Sequence, residues 1–306
     1  MIAHRRKSST LRRREALKGY LYISPWLAGF AIFTFFPIVA SAFLSLTQYE
    51  VVVPPRFIGL ANYGYALGVD DYFWKTVYNT VYYMVLFVPL SLVGSLGAAL
   101  LLNQRVRGQA VFRTLFFIPS VTPVVASTLL WMWILNYEFG PLNSVLAAIG
   151  IQGPPWLSSS LWAKPSIVMM SLWGAVGGGN MIIILAGLQG ISQELYEAAD
   201  IDGANRWQKL LNITLPMLSP SMFFCLVVGL IGALKIFTPA YIATDGGPGY
   251  ATTFYVLYLF QTAFQSLNMG YASALAWLLL FLTLGLVMLQ FYLASRWVYY
   301  EGARGR

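Results

Sequence analysis

The side chains that could carry out chemistry are few in this chain of 306 residues, and they do not form a cluster. Cys225 is the single cysteine and His4 the single histidine, so no set of His and Cys ligands for zinc exists. The sequence also has no nucleophile–base constellation and no G-x-x-x-x-G-K-[ST] phosphate loop. We therefore predict no catalytic residue, no metal site and no cofactor bound by this chain.

Lys235 is the one ionisable residue inside a long apolar stretch, and no such stretch contains an Asp or Glu. A charged group in these surroundings indicates a functional site. In such a site Lys235 could hold a hydroxyl or an anionic group of a ligand. The structural alternative is that its side chain snorkels to water, or pairs with a carbonyl or with an acid of a partner subunit.

The composition predicts an integral membrane protein, because 58% of the residues are hydrophobic and only 10% are charged, against about 25% charged in soluble domains. Six apolar segments each approach or exceed the ~20 residues that cross a bilayer as a helix. A helix is expected because lipid offers no hydrogen-bond partners to the backbone N–H and C=O groups of an open strand. The segments are Tyr20–Leu46, Val77–Leu102, Leu115–Leu135, Pro165–Leu188, Met222–Ala243 and Tyr271–Ser295.

The distribution of Lys and Arg predicts the orientation of the six segments. Of 19 Lys and Arg residues, fifteen lie in the two tails and in the loops after segments two and four. The other loops hold only Arg56, Lys75 and Lys164. Because positive charge is retained in the cytoplasm, both termini are expected there. This gives a cytoplasmic tail over 1–19, a membrane domain over 20–295 and a second cytoplasmic tail over 296–306.

The first segment follows a basic stretch and contains Ala40-Ser41-Ala42, which resembles a signal-peptide cleavage site. Its apolar run is longer than the 7–15 residues of a signal peptide, which favours a retained helix over a cleaved one.

The cytoplasmic loop over about 190–216 reads as two short helices joined at Gly203. Ser192 is a suitable N-cap with Glu194 in the first turn, Gly203 is a natural stop, and residues 204–211 form the second helix. Pro216 marks the return to the membrane. From the residues alone, two interpretations stay open: a hairpin that docks into a protein cleft, or an amphipathic connector resting on lipid headgroups.

The residues of this loop resemble the EAA loop of ABC importer permeases. The matching residues are Glu197-Ala198-Ala199, Asp202-Gly203-Ala204 and Ile213-x-Leu215-Pro216, with the spacing kept without a gap. The resemblance implies the type I importer permease fold with a cytoplasmic coupling helix. It also implies that Glu197, Ala198, Ala199, Asp202, Gly203, Ala204, Leu215 and Pro216 contact an ATP-binding subunit.

Further similarity extends over most of the chain and concerns the carbohydrate branch of that family, of the maltose permease type. It is carried by Tyr20–Pro37, Phe57–Tyr63, Thr244–Pro248 and Phe264. The resemblance implies a heterodimer with a second permease subunit, an ATP-binding subunit dimer that carries ATP and Mg, and an external solute-binding protein docking on Asp245, Gly246, Gly247 and Pro248. A sugar is the expected substrate, membrane lipid surrounds the chain, and no nucleic acid is expected.

The same resemblance assigns positions that would line the substrate path. They are Ser120, Val124, Ser171, Gly174, Ala175, Gly229 and Ala233, with Trp173, Asn180 and Lys235 as additional stacking, polar or charged candidates. Most of these residues are small, so they widen a cavity or, alternatively, only permit close helix packing.

Two breaks are predicted inside the segments. The run Gly177-Gly178-Gly179 weakens segment four, since each Gly costs about 1 kcal/mol relative to Ala, and Pro119 and Pro123 predict a kink in segment three.

The sequence-based alternatives to an ATP-driven importer are an ion-coupled secondary transporter of a polar solute and a membrane-embedded enzyme. The missing intramembrane acids count against both of them.

Overall fold

The structure is a computed structural model that describes residues 9–104 and 107–299, with side chains from residue 13 onward. His4, Arg5–Lys7, Arg105, Arg304 and Arg306, to which the sequence assigns the tails or a cytoplasmic loop, lie outside these residues. The described chain divides into two compact units, residues 9–65 with Thr262–Leu278, and Ala66–Gln261 with residues 279–299.

Fifteen α-helices account for most of the described residues. They are α1 (Ser9–Phe30), α2 (Phe36–Ser45), α3 (Ala61–Gly68), α4 (Asp71–Leu102), α5 (Gln109–Val121), α6 (Val124–Ile134), α7 (Pro141–Ala148), α8 (Ala163–Val176), α9 (Gly179–Gln189), α10 (Gln193–Ile201), α11 (Arg206–Lys209), α12 (Leu215–Leu234), α13 (Thr238–Thr244), α14 (Tyr255–Phe260) and α15 (Met269–Ala294). Five-residue π-helical turns cover Ala31–Phe35, Leu210–Thr214 and Gln261–Gln265.

The first unit contains the first apolar segment and a small hairpin that the all-α prediction did not include. Strands β1 (Thr47–Gln48) and β2 (Arg56–Phe57) pair antiparallel, with Thr47 opposite Phe57. The Asn62 amide donates to the carbonyls of Ser45 and Thr47, both at 2.9 Å. These bonds satisfy backbone acceptors where α2 ends.

In the second unit, α4 is the central helix and packs against α8, α9 and α12. Two clusters of buried side chains fill these contacts. One cluster includes Tyr83, Val88, Ile167, Ala233, Phe254 and Leu257, and the other includes Ala98, Ala99, Met181, Ile184, Leu218 and Cys225. Cys225 is therefore a small core residue, as its apolar sequence context indicates.

Among the described residues, four helices are long and apolar enough to cross a membrane: Arg13–Ser45, Asp71–Leu102, Arg206–Thr244 and Met269–Ala294. Segments three and four are each a bent pair of helices, so the six predicted spans are recovered when each pair counts as one. All six spans begin before the apolar segments predicted for them, most of all the fifth, which starts at Arg206 and not at Met222. Apolar periodicity marks the membrane-embedded part of a helix and not its polar extension.

Both predicted breaks are confirmed, and one is larger than a kink. Segment three turns by 96° between α5 and α6, where Thr122 and Pro123 have extended backbone, because Pro disfavours helical backbone in the residue before it. Segment four bends by 43° between α8 and α9, at Gly177 and Gly178.

Candidate functional site

The first helix of the hairpin, α10, has well-defined ends. The Ser192 hydroxyl accepts a hydrogen bond from the Glu194 N–H at 3.3 Å, which caps the N-terminus. At the other end, Gly203 has φ +75°, its N–H donates to the Asp200 carbonyl at 3.1 Å, and the Ala204 N–H donates to the Ala199 carbonyl at 2.9 Å. This pair of bonds is the Schellman motif, so Gly203 makes the predicted turn.

The second helix differs from its prediction over 204–211. Asn205 and Gln208 form a reciprocal capping box, so helix α11 begins at Arg206. It does not end near Leu211, because the π turn Leu210–Thr214 continues it into α12. Pro216, which lacks the N–H donor of a helix ladder, is accommodated in the first turn of α12 after that π turn.

Two side-chain contacts join the arms of the hairpin. The hydroxyls of Tyr196 and Thr214 lie 3.0 Å apart, and Lys209 forms an ion pair with Asp200. Thr214 is buried, whereas the Asp200 side chain is largely exposed. A hydrogen bond to a buried hydroxyl is costly to break, so the contact between Tyr196 and Thr214 holds the hairpin against the base of α12.

The predicted coupling residues divide into two groups. Six of them, from Glu197 to Ala204, lie on the hairpin, and Glu197, Ala198, Asp202 and Gly203 are exposed there. Leu215 and Pro216 are half-buried in α12 and do not belong to this surface. Large apolar side chains are exposed beside the motif, with Ile201 87% and Trp207 72% exposed. Sequence reasoning did not assign Ile201 to the surface that could meet a partner.

A cavity of about 380 Å³ lies where two helices break. One break separates α5 from α6, and the other, over Lys235–Phe237, separates α12 from α13. Five of the predicted path residues line this cavity, namely Ser120, Val124, Ser171, Gly174 and Lys235. The breaks therefore collect residues of separate segments around one cavity, whose lining combines hydroxyl groups, the Lys235 ammonium and apolar side chains.

The remaining path candidates do not line this cavity. Trp173 lines a second, apolar cavity of about 500 Å³, where its ring meets that of Trp131 edge-on at 6.3 Å. Ala233 lies in the core and its neighbour Gly232 lines the first cavity instead. Three others have different surroundings: the Ala175 carbonyl accepts from Ser95 at 3.4 Å, the Asn180 carbonyl accepts from the Cys225 thiol at 4.0 Å, and Gly229 faces Val88. Their part in a path stays a prediction.

Several lining residues were missed in the sequence. Tyr83, Ser127, Thr128 and Thr238 line the cavity. Ser127 and Thr128 follow Pro123 by about one helical turn, so the proline break was a usable signal for them. Thr238 is followed by Pro239, which disfavours helical backbone at Thr238, so a proline was a usable signal there as well.

The loop after α13 is an ordered turn with one exposed carboxylate. Asp245 is exposed and has left-handed backbone, φ 45°, while Gly246 is buried and its carbonyl accepts from the Thr253 hydroxyl at 3.0 Å. The Thr252 hydroxyl donates to the Gly247 carbonyl at 2.7 Å. Of the four predicted contact residues, Asp245 therefore presents the charge, and Gly246, Gly247 and Pro248 shape the turn.

The described residues contain no group of three or more His, Cys, Asp or Glu side chains that could hold a metal ion.

Proteins similar in sequence to this chain are named as permeases of transport systems. It is 41% identical to the probable ABC transporter permease protein YesP of Bacillus subtilis, with 96% of each chain covered. It is 36% identical to the trehalose/maltose transport system permease protein MalF of Thermococcus litoralis, over 86% of this chain and 88% of the relative. It is 35% identical to the lactose transport system permease protein LacF of Rhizobium radiobacter, over 94% and 97%.

The fold is also that of a solved transporter. A chain of a bacterial ABC transporter involved in import of the acidic polysaccharide alginate matches with a TM-score of 0.81 at 23% identity, over 93% of this chain and 96% of that chain. The type I importer permease fold is thereby confirmed. The family model for the inner membrane component of binding-protein-dependent transport systems matches residues 90–299. This chain is a membrane transport permease of that family and not an enzyme.

Proposed function

We propose that this chain is one permease subunit of an ATP-driven, binding-protein-dependent sugar importer, and that it forms half of the translocation path. The observation that carries this proposal is the connection between the hairpin and the cavity. The helix that starts at Arg206 in the hairpin continues to Leu234, next to the cavity residue Lys235. At 1.5 Å per residue it is about 43 Å long, so movement at one end is transmitted to the other.

The exposed hairpin supports the assignment of a docking element. Glu197 offers a carboxylate, and Ile201 and Trp207 offer apolar area on the same hairpin. Protein interfaces combine such apolar anchors with charged neighbours. In this proposal an ATP-binding subunit, which holds ATP and Mg, docks on the hairpin at Glu197–Ala204, with Leu215 and Pro216 supporting it from α12.

A sugar is proposed as substrate because the permease relatives MalF and LacF are named for trehalose/maltose and lactose transport. The cavity is compatible with this substrate, since several hydroxyl side chains line it and small ligands are recognised by a small number of placed polar groups. A second, non-identical permease subunit completes the path, and a solute-binding protein delivers the sugar to the loop at Asp245–Pro248.

In this arrangement residues 1–19 and 296–306 are cytoplasmic tails, and 20–295 form the permease domain. The hairpin then faces the cytoplasm and the Asp245 loop faces outward. Family membership and the absence of Asp and Glu from the predicted spans favour this proposal over an ion-coupled carrier.

Reconstitution of the whole transporter into proteoliposomes tests the proposal. We expect sugar uptake to require ATP and the solute-binding protein, and to persist when ionophores dissipate ion gradients. Uptake that follows a proton or sodium gradient without ATP would contradict it and favour the ion-coupled carrier.

The hairpin is tested with Glu197→Ala against Glu138→Ala, which removes the same charge from an exposed position outside the hairpin. We expect Glu197→Ala to lower stimulated ATPase activity at least tenfold, and Glu138→Ala to leave it unchanged. Equal activities would show that the hairpin does not couple to ATP hydrolysis.

A further inference from the structure

The cavity at the two helix breaks combines one cation with several hydroxyl groups. We propose that it takes an acidic saccharide, with Lys235 binding the anionic group and the hydroxyl side chains binding the sugar hydroxyls. This inference rests on the proposed function, because it names the substrate class of the same path.

Lys235 is the only charged side chain among the residues that line this cavity. It is exposed, and the single ion pair in the described part of the chain is formed elsewhere, by Asp200 and Lys209. The ammonium of Lys235 would form a charge-assisted hydrogen bond with an anionic ligand group, which is stronger than its hydrogen bond to a neutral group. Among the described residues, none supplies a carboxylate to this cavity, so a ligand with an acidic group fits the site better than a neutral one.

Three of the hydroxyl groups that line the cavity act as acceptors toward a ligand. The Ser120 hydroxyl donates to the Phe117 carbonyl at 2.8 Å, and the Thr128 hydroxyl to the Val124 carbonyl at 2.7 Å. The Ser171 hydroxyl also donates to a carbonyl of its own helix, at 2.9 Å. A hydroxyl has one proton and two lone pairs, so these oxygens keep acceptor capacity and no free proton.

The hydroxyl oxygens and the Lys235 ammonium suit different parts of an acidic sugar. Acceptor oxygens suit the O–H donors of a sugar ring, but they would repel a carboxylate. The ammonium of Lys235 offers three donors and a positive charge. An acidic group is therefore directed to Lys235 at the end of α12, and the ring hydroxyls to Ser120, Thr128 and Ser171.

Lys235 also stands at the C-terminal end of α12, where a cation stabilises the helix dipole without any ligand. A purely structural role of this kind would affect every substrate equally. It would also be retained in Lys235→Arg and lost in Lys235→Gln, so selectivity between charged and neutral sugars is the informative readout.

The test offers the reconstituted transporter, with its binding protein, an equimolar mixture of neutral oligosaccharides and uronate-containing oligosaccharides, and identifies what enters the vesicles by mass. We expect the imported species to carry an acidic group. We expect Lys235→Gln to lower their uptake at least tenfold while Lys235→Arg keeps at least a third of it.

The outcomes separate this inference from the proposed function. Import of neutral oligosaccharides with ATP hydrolysis would overturn the acidic substrate and leave the importer standing. An equal loss of neutral and acidic uptake in Lys235→Gln would assign Lys235 a structural role and overturn the inference. If nothing enters and ATPase activity does not respond to the loaded binding protein, the proposed function fails, and the inference with it.

Discussion

The carbonyl oxygen of Phe116 occupies the space that a Cβ atom on Gly177 would need. Phe116 belongs to α5, and Gly177 lies at the break between α8 and α9. The two bent segments therefore meet backbone to backbone, as small residues permit between membrane helices. This contact explains why segment four needs Gly at 177 in addition to its bend.

Gly177→Ala is expected to destabilise the protein. The obstacle is backbone, so no rotamer change relieves the overlap, and one of the two segments must shift at a cost of about 1–3 kcal/mol. Thermal unfolding of the detergent-purified transporter, followed by size-exclusion fluorescence, measures the effect.

Gly179→Ala is the matched control, because a Cβ there meets nothing within 4 Å and Ala is the better helix former. It should unfold at or above the wild-type temperature. Equal unfolding temperatures for both variants would contradict the close contact.

Residue chemistry that acts locally was predictable from the sequence. Gly203 and the prolines of segment three each impose a backbone conformation through their own structure, and the hairpin and the 96° bend follow from them. Lys235, which lines the cavity, could also be identified from the sequence, because a charged residue stands out in an apolar stretch.

Features that depend on tertiary packing were not predictable in the same way. The stop of α12 at Lys235 carries no Gly or Pro signal at that residue. The resemblance placed a path position on Ala233, whereas Gly232 lines the cavity; adjacent residues of a helix point about 100° apart. The run from α11 into α12 was missed because Pro216 is a usual helix boundary.

Gly203 is predicted to be required for its backbone conformation and not for its small size. Its φ of +75° is left-handed, yet a Cβ would meet nothing within 4 Å. Gly203→Ala should therefore cost about 1–2 kcal/mol of local hairpin stability, while Gly203→Asn should cost less, since Asn tolerates this conformation. Substrate-stimulated ATPase activity should fall more in the Ala variant than in the Asn variant. The reverse order would indicate that docking needs the space at Gly203 and not its turn.

Asn79 is predicted to hold the loop after α13 in place. It is fully buried, and its amide donates to the carbonyls of Tyr250 at 2.9 Å and Thr253 at 3.0 Å. Asn79→Asp removes both donors and faces the carbonyls with a carboxylate oxygen, so a loss of about 3 kcal/mol or more is expected. Unfolding temperature and protease cleavage after Tyr250 measure it.

Lys164→Gln distinguishes the hydrogen bonds that the Asn79 side chain donates from the one that it accepts. The Lys164 ammonium donates to the side-chain amide oxygen (Oδ1) of Asn79 at 3.2 Å, and Gln can still donate there. We expect the Gln variant to unfold within about 1 kcal/mol of wild type. A larger loss than in Asn79→Asp would show that the charge of Lys164, and not the amide of Asn79, stabilises the loop.

Asp245 is predicted to act in binding-protein contact without contributing to folding. Its side chain is exposed, and its left-handed backbone is one that Asn also adopts, so Asp245→Asn should leave the unfolding temperature unchanged. Loss of a charge at the rim of an interface mainly slows association. We therefore expect Asp245→Asn to raise the binding-protein concentration for half-maximal ATPase stimulation several-fold, with an unchanged maximum. An unchanged half-maximal concentration in Asp245→Asn would remove this residue from the contact surface.

Gly246→Ala is the contrasting variant. Gly246 has a left-handed φ of +85°, and a Cβ atom added there would lie 2.5 Å from the Thr253 hydroxyl. We therefore expect Gly246→Ala to lower the unfolding temperature.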